Sequence, residues 1–152
     1  MMGRQCIFSP VGWLRIISEK GFLTAIDFIE AEEPSFPDEI TEKTAEELRE
    51  YFEGKRRAFD IPVRIEGSRF FKKVLEQTAL IPYAETVSYS QLAENSGNAK
   101  ASRAVGGAMH ANPIPIIIPC HRVIGKNNSL TGYGGGLEIK KILLKLESDN
   151  SV

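Results

Sequence analysis

The chain has 152 residues, of which 42% are apolar and 26% charged, and a formal net charge of −1. That size holds one medium domain or two small ones, and the composition is ordinary for a soluble globular protein. No apolar run approaches the roughly 20 residues needed to cross a bilayer, and the start, MMGRQCIFSP, lacks the marks of a signal peptide, so no membrane association and a cytoplasmic (or nuclear) location are expected.

The first thirty residues predict strands. Gln5–Phe8, Trp13–Ile17 and Phe22–Ile29 are rich in β-branched and aromatic residues, and Ser9–Gly12 and Ser18–Gly21 are turn signals between them. Three short strands joined by tight turns predict an antiparallel meander. After a loop at 30–37, Thr41–Glu53 predicts a helix, with Ala45, Leu48, Tyr51 and Phe52 near one face and Gly54 as a stop. Lys55–Gly67 is expected to be an extended linker. The domain boundary is placed there, giving domains 1–67 and 68–152.

The second part predicts short helices. Ser68–Leu80 carries Phe70, Phe71, Val74 and Leu75 at helical spacing. Ser88–Gln91 is a capping-box pattern, in which serine caps and glutamine reaches back, for a helix ending near Ser96. Asn98 is the expected cap of a second, Ala- and Gly-rich helix from Ala99 to about Ala111. Together the two form a helix-turn-helix candidate. Ile114–Ile118 is expected to be a short buried extended segment, Gly132–Gly136 a loop, and Leu137–Glu147 a final helix. Residues 1–67 carry 9 Lys and Arg against 14 Asp and Glu, whereas residues 68–152 carry 10 against 6, so any contact with DNA is expected in the second domain.

Two cysteines, Cys6 and Cys120, do not make a disulfide framework, and with only His110 and His121 a four-ligand zinc site is hard to assemble. No metal or cofactor is expected. Cys120 sits just past an apolar segment, beside Pro119, and next to His121 and Arg122, whose positive charge would favour the reactive thiolate. Adjacent residues in an extended chain point to opposite faces, so Cys120 and His121 need a turn or a bridging water to communicate. Glu147, at the end of the last helix, is either a solvated helix-end carboxylate or a partner for that site. Arg103 lies early in the second helix of the helix-turn-helix, where side chains reach DNA.

The run from Phe70 to Glu147 resembles the C-terminal domain of the O6-alkylguanine-DNA alkyltransferases (methylated-DNA–protein-cysteine methyltransferases). Its most specific string is Asn112-Pro113, five residues, then Pro119-Cys120-His121-Arg122-Val123. Residues 5–54 fit that family's N-terminal domain in pattern only. The resemblance implies an α+β protein. A small RNase H-like N-terminal domain with an antiparallel three-stranded sheet precedes a mainly helical, winged helix-turn-helix C-terminal domain.

The resemblance also implies roles. Cys120 would accept the alkyl group, and His121 and Glu147 would form a relay, with water between His121 and the sulfur. Tyr89 would contact the flipped nucleotide and protonate the leaving guanine, while Arg103 would fill the space of the extruded base. Asn112 would turn the chain from recognition helix to active-site segment. Tyr133, Gly134 and the backbone near Val123 would border the guanine pocket, with Ser88 counted among the binding residues. Ala84 stands where the family usually has glycine. The implied activity is DNA repair by irreversible, single-use transfer of the alkyl group from O6-alkylguanine, possibly also O4-alkylthymine, to Cys120. The implied partner is double-stranded DNA bearing the lesion, bound by a monomer. The competing reading is a non-catalytic relative that binds alkylated DNA and recruits other factors. Such relatives replace the acceptor cysteine, which is present here.

Overall fold

The computed structural model describes residues 2–125 and 136–151. It divides into two compact units, Met1–Ile65 and Glu66–Val152.

In the first unit the expected meander forms as β1 (Met2–Ser9), β2 (Gly12–Glu19) and β3 (Phe22–Ile29), antiparallel and in that order. The β2–β3 turn is a two-residue hairpin in which Lys20 (φ 52°) and Gly21 (φ 84°) both take positive φ, as the right-handed twist of the flanking strands favours. Side chains alternate along β2, with Leu14, Ile16 and Ser18 buried and their neighbours half-buried. Helix α1 (Glu39–Phe52) buries Ala45, Leu48 and Tyr51 and contacts all three strands. It starts two residues before the expected Thr41 because Asp38 caps it, accepting from Thr41 N at 2.9 Å while the Thr41 hydroxyl serves the Asp38 N–H. The expected linker is partly tied down. Leu23 N donates to Pro62 O at 2.8 Å and Arg64 N to Leu23 O at 3.0 Å, so residues 62–64 line the β3 edge.

In the second unit α2 (Arg69–Ala79), α3 (Tyr89–Asn95) and α4 (Ser102–His110) pack on one another. A short parallel pair, β4 (Val87–Ser88) with β5 (Val123–Ile124), runs beside them, and α5 (Leu137–Asp149) closes the described chain.

Three expectations change. The second helix of the pair, α4, begins at Ser102, not Ala99. Asn98 bonds Lys100 N at 3.1 Å and so organises the preceding turn, and the true cap, Ala101, has no side-chain bond to offer. Ser88 caps α3 as expected, accepting from Gln91 N at 3.0 Å, but Gln91 reaches forward to Asn95 at 2.9 Å and not back to the cap. Ile114–Ile118 is buried but not extended. Ile118 N closes onto Ile114 O at 3.0 Å, and Ile116 takes φ 74°, an outlier for a β-branched residue.

Candidate active site

Asn112 organises the approach to Cys120. Its Nδ2 donates to Ile118 O at 2.9 Å and its Oδ1 accepts from Ile114 N at 3.0 Å, so one side-chain amide staples the whole Ile114–Ile118 loop. Cys120 then opens a single turn of 3-10 helix, Cys120–Arg122. With three residues per turn, successive side chains diverge by about 120°, which removes the opposed geometry of an extended chain.

The three side chains of this turn are buried, as are Lys140 and Glu147 on α5. Lys140, Leu143 and Glu147 recur at helical spacing, so α5 turns one face inward. Glu147 lies 26 residues from His121 in sequence, yet its Oε2 is 2.6 Å from His121 Nε2. Arg122 forks onto the same carboxylate, with Nε to Oε1 at 2.8 Å and Nη2 to Oε2 at 2.9 Å, while its Nη1 donates to Ile81 O at 2.7 Å. Ala84 N adds a fourth donor, to Oε1 at 3.0 Å. Ala84 has φ 64°, a conformation that suits glycine better, so the backbone reaches Glu147 at some local strain. The alternative of a solvated helix-end carboxylate is therefore overturned for Glu147.

These surroundings set the protonation states. Burial raises the Glu147 carboxyl, but the hydrogen bonds and charges of His121 and Arg122 outweigh it and hold the group well below the usual carboxylate range. An ionised Glu147 only accepts, so His121 donates through Nε2. That tautomer leaves Nδ1 as an acceptor, and this atom is buried with no hydrogen-bond partner among the described residues. Burial lowers the His121 pKa, Glu147 opposes that, and the positive charges of Arg122 and Lys140 reinforce it, so His121 is neutral at neutral pH.

Cys120 departs from the expectation drawn from its positive neighbours. Burial pushes its thiol up to about 11, and the opposing Asn112 hydrogen bond and Lys140 charge are weaker. Arg122, the neighbour expected to help, spends its fork on Glu147. The resting site is therefore a thiol beside a neutral imidazole.

Lys140 escaped the sequence reading. Its ammonium donates to Val123 O at 2.7 Å and lies 5.9 Å from the Tyr89 ring centre. Its signal was present, since it lies seven residues before Glu147 and shares that residue's helical face.

The β4–β5 ladder pairs Val87 with Val123 and Ser88 with Ile124, bringing Ser88 and Tyr89 beside the strand that leaves the active turn. Tyr89 and Ser88 are half-buried, and Val123 is buried. Arg103 sits exposed in the first turn of α4. Tyr133, Gly134 and most of the expected glycine loop lie outside the described residues. Among the described residues no group of three or more His, Cys, Asp and Glu side chains converges as a metal site, and no helix is long and apolar enough to cross a membrane.

The second unit thus carries a packed pair of short helices, α3 and α4, and a buried turn that opens on Cys120 and holds Glu147 through His121 and Arg122. Two family models match the chain. The 6-O-methylguanine DNA methyltransferase DNA binding domain covers residues 69–149, and the ribonuclease-like domain of the same methyltransferase covers residues 4–65. The methylated-DNA–protein-cysteine methyltransferase of Methanosarcina acetivorans is 43% identical over 146 residues, covering 91% of this chain and 94% of its own. The crystal structure of Mycobacterium tuberculosis O6-methylguanine methyltransferase superposes with a TM-score of 0.89 at 38% identity, covering 99% of this chain and 94% of that one. A structure of Mycobacterium tuberculosis OGT in complex with DNA matches at a TM-score of 0.88 and 40% identity, covering 97% and 93%. The chain belongs to the 6-O-methylguanine DNA methyltransferase family.

Proposed function

We propose that this protein repairs DNA by moving the alkyl group of O6-alkylguanine irreversibly onto Cys120. The observation that carries the reading is the buried turn that sets Cys120 beside a neutral His121 whose tautomer is dictated by Glu147. The thiolate is the nucleophile, yet burial opposes its formation, so a base must take the proton as the reaction proceeds. His121 Nδ1 takes it through one water, and Glu147 stabilises the imidazolium that results.

Sulfur attacks the alkyl carbon, the C–O6 bond breaks, and guanine leaves as an anion. Tyr89 donates the proton that neutralises it, and Lys140, beside the Tyr89 ring, favours the negative charge that then develops on the phenol. Val123 and Ser88 border the base pocket. The thioether product has no easy leaving group, so each chain acts once.

A base inside a duplex cannot reach a buried sulfur, and it must be extruded at a cost of about a few kcal/mol. Arg103 supports that step from the exposed start of α4. On the same helix, a Cβ at Gly106 or Gly107 would meet nothing within 4 Å, so contact at that atom does not demand glycine there, whereas a closely approaching nucleic acid would. Asn112 connects this helix to the active turn. The protein acts as a cytoplasmic monomer on duplex DNA, with residues 68–152 as its DNA-binding and transfer domain.

The test is incubation of the protein with excess duplex carrying labelled O6-methylguanine. Label should plateau at one methyl per active chain and map to the Cys120 peptide. Turnover beyond one equivalent, or label on Cys6, would overturn the reading.

A further inference from the structure

His121 faces a difficulty that its carboxylate partner creates. A buried imidazole hydrogen-bonded to a lone carboxylate is drawn toward the imidazolium form, and an imidazolium cannot accept the Cys120 proton. Glu147 is not alone, however. Arg122 covers both of its oxygens, at 2.8 and 2.9 Å, in a bidentate fork from which water is excluded. The guanidinium is itself held, by Ile81 O at 2.7 Å and over the Tyr83 ring at 5.6 Å from its centre, so it cannot swing away from the carboxylate. A fixed positive charge on the same carboxylate weakens the field that Glu147 exerts on His121.

We infer that Arg122 is a positioning residue of the proton relay. By occupying both oxygens of Glu147, it orients that carboxylate toward His121 Nε2 and keeps His121 free of its extra proton at neutral pH, ready to act as base. This rests on the alkyl-transfer reading above and assigns the Arg122 fork a task within it.

Among the described residues, the charged and titratable groups around His121 are few. Its own turn supplies Cys120 and Arg122, and α5 supplies Glu147 and Lys140. The segment 81–84 adds the Ala84 N–H on Glu147 and the Tyr83 ring under Arg122, and α3 adds Tyr89, against Lys140. Of the two cations, Lys140 donates to Val123 O, whereas Arg122 forks onto the carboxylate that His121 touches. Arg122 is therefore the group whose removal changes the His121–Glu147 pair most directly.

The experiment measures single-turnover methyl transfer from labelled O6-methylguanine duplex by the full chain between pH 5.5 and pH 9, a window chosen around the ordinary histidine pKa of about 6.5. Wild type is compared with Arg122→Met, which removes the charge, and Arg122→Lys, which keeps it but loses the fork. Loss of the charge should move the midpoint of the acid limb upward by about one pH unit, slowing transfer about tenfold on that limb and much less at the alkaline end. Arg122→Lys should shift it in the same direction by less. His121 should show the same upward shift when its ring is titrated by NMR.

A folded Arg122→Met protein that is uniformly slow at every pH, with an unmoved midpoint, would reduce Arg122 to scaffolding and overturn the inference. So would a wild-type profile. If Arg122→Met does not fold, the Arg122→Lys profile decides alone, and an unmoved midpoint there is also fatal. Failure of the parent reading looks different, because wild type itself would then leave Cys120 unlabelled or His121→Ala would react at the wild-type rate.

Discussion

Each unit contains an arginine that grips carboxylates, and the two behave differently. In the first, Arg15 donates to Asp27 at 3.0 and 3.2 Å and to Glu33 at 3.0 and 3.1 Å, with all three side chains between 26% and 40% exposed. In the second, Arg122 forks onto Glu147 with 6% and 0% exposure. The donor chemistry is the same, but water can replace a lost partner at Arg15 and cannot at Arg122. Exposed ion pairs contribute about 0–1 kcal/mol because solvent screens them. A buried partner, once removed, leaves a charge with nothing to solvate it. The stronger electrostatics of this pair therefore sit where packing has excluded water, and that is where Cys120 is buried.

Glu147→Gln tests the buried side of this comparison hardest. It strands the Arg122 guanidinium in the core without a counter-charge and leaves one acceptor oxygen where His121 and Arg122 shared two. Unfolding free energy of the second unit should fall by about 3–5 kcal/mol, read from denaturant titration. Alkyl transfer by the remaining folded protein should slow by about a hundredfold or more, a typical loss for a proton-transfer group. A stable variant reacting at the wild-type rate would mean that the buried network is neither structural nor catalytic.

The thiol provides the next largest effect, and its sign can be worked out. Cys120 is held up near 11 in the folded chain against an ordinary value of 9.0. Between those pH values the unfolded chain sheds the proton and the folded chain keeps it, so stability contributed by the thiol is lost as pH rises from 9 to 11. The loss should approach about 2–3 kcal/mol. The difference between wild type and Cys120→Ala should follow this slope in melting experiments and be flat below pH 8. A difference independent of pH would show that burial does not control the thiol.

Arg103 supplies a third kind of cation, exposed and without an ion pair among the described residues. The role proposed for it lies with DNA. Arg103→Ala should slow repair of duplex substrate about tenfold or more while leaving reaction with free O6-alkylguanine base nearly unchanged, since a free base needs no extrusion. Equal losses with both substrates would return Arg103 to the fold or the pocket. The smallest effect belongs to the exposed network. Arg15→Ala should change stability by less than about 1 kcal/mol and should matter less still at high salt.

Much of the fold was legible in advance, for local reasons. The strands at Met2–Ser9, Gly12–Glu19 and Phe22–Ile29 follow β-branched and aromatic runs broken by turn residues, and the last helix begins at the expected Leu137. Expectations slipped where a single local bond competed with another, as when Asn98 organised a turn instead of capping α4 and Gln91 chose Asn95 over the cap. The site was legible in part. Asn112 and the Pro119–Val123 string marked the active segment, but the staple that Asn112 makes across Ile114–Ile118 did not show in the pattern. Lys140 was passed over because lysine on a helix is usually a solvated residue.

By itself the sequence determined which chemistry was on hand: one cysteine following an apolar segment, a histidine and arginine beside it, an acid on the last helix, and a meander distinguished from a helical second half by its β-branched and aromatic runs and turn residues. Tertiary structure alone decided what state that chemistry occupies. The partners of Glu147 lie 25, 26 and 63 residues away in the chain, and no spacing rule links Ala84, His121 and Arg122 to one carboxylate. The thiol pushed up, the imidazole kept neutral and the carboxyl held down all follow from exclusion of water. Burial arises only when distant segments pack together.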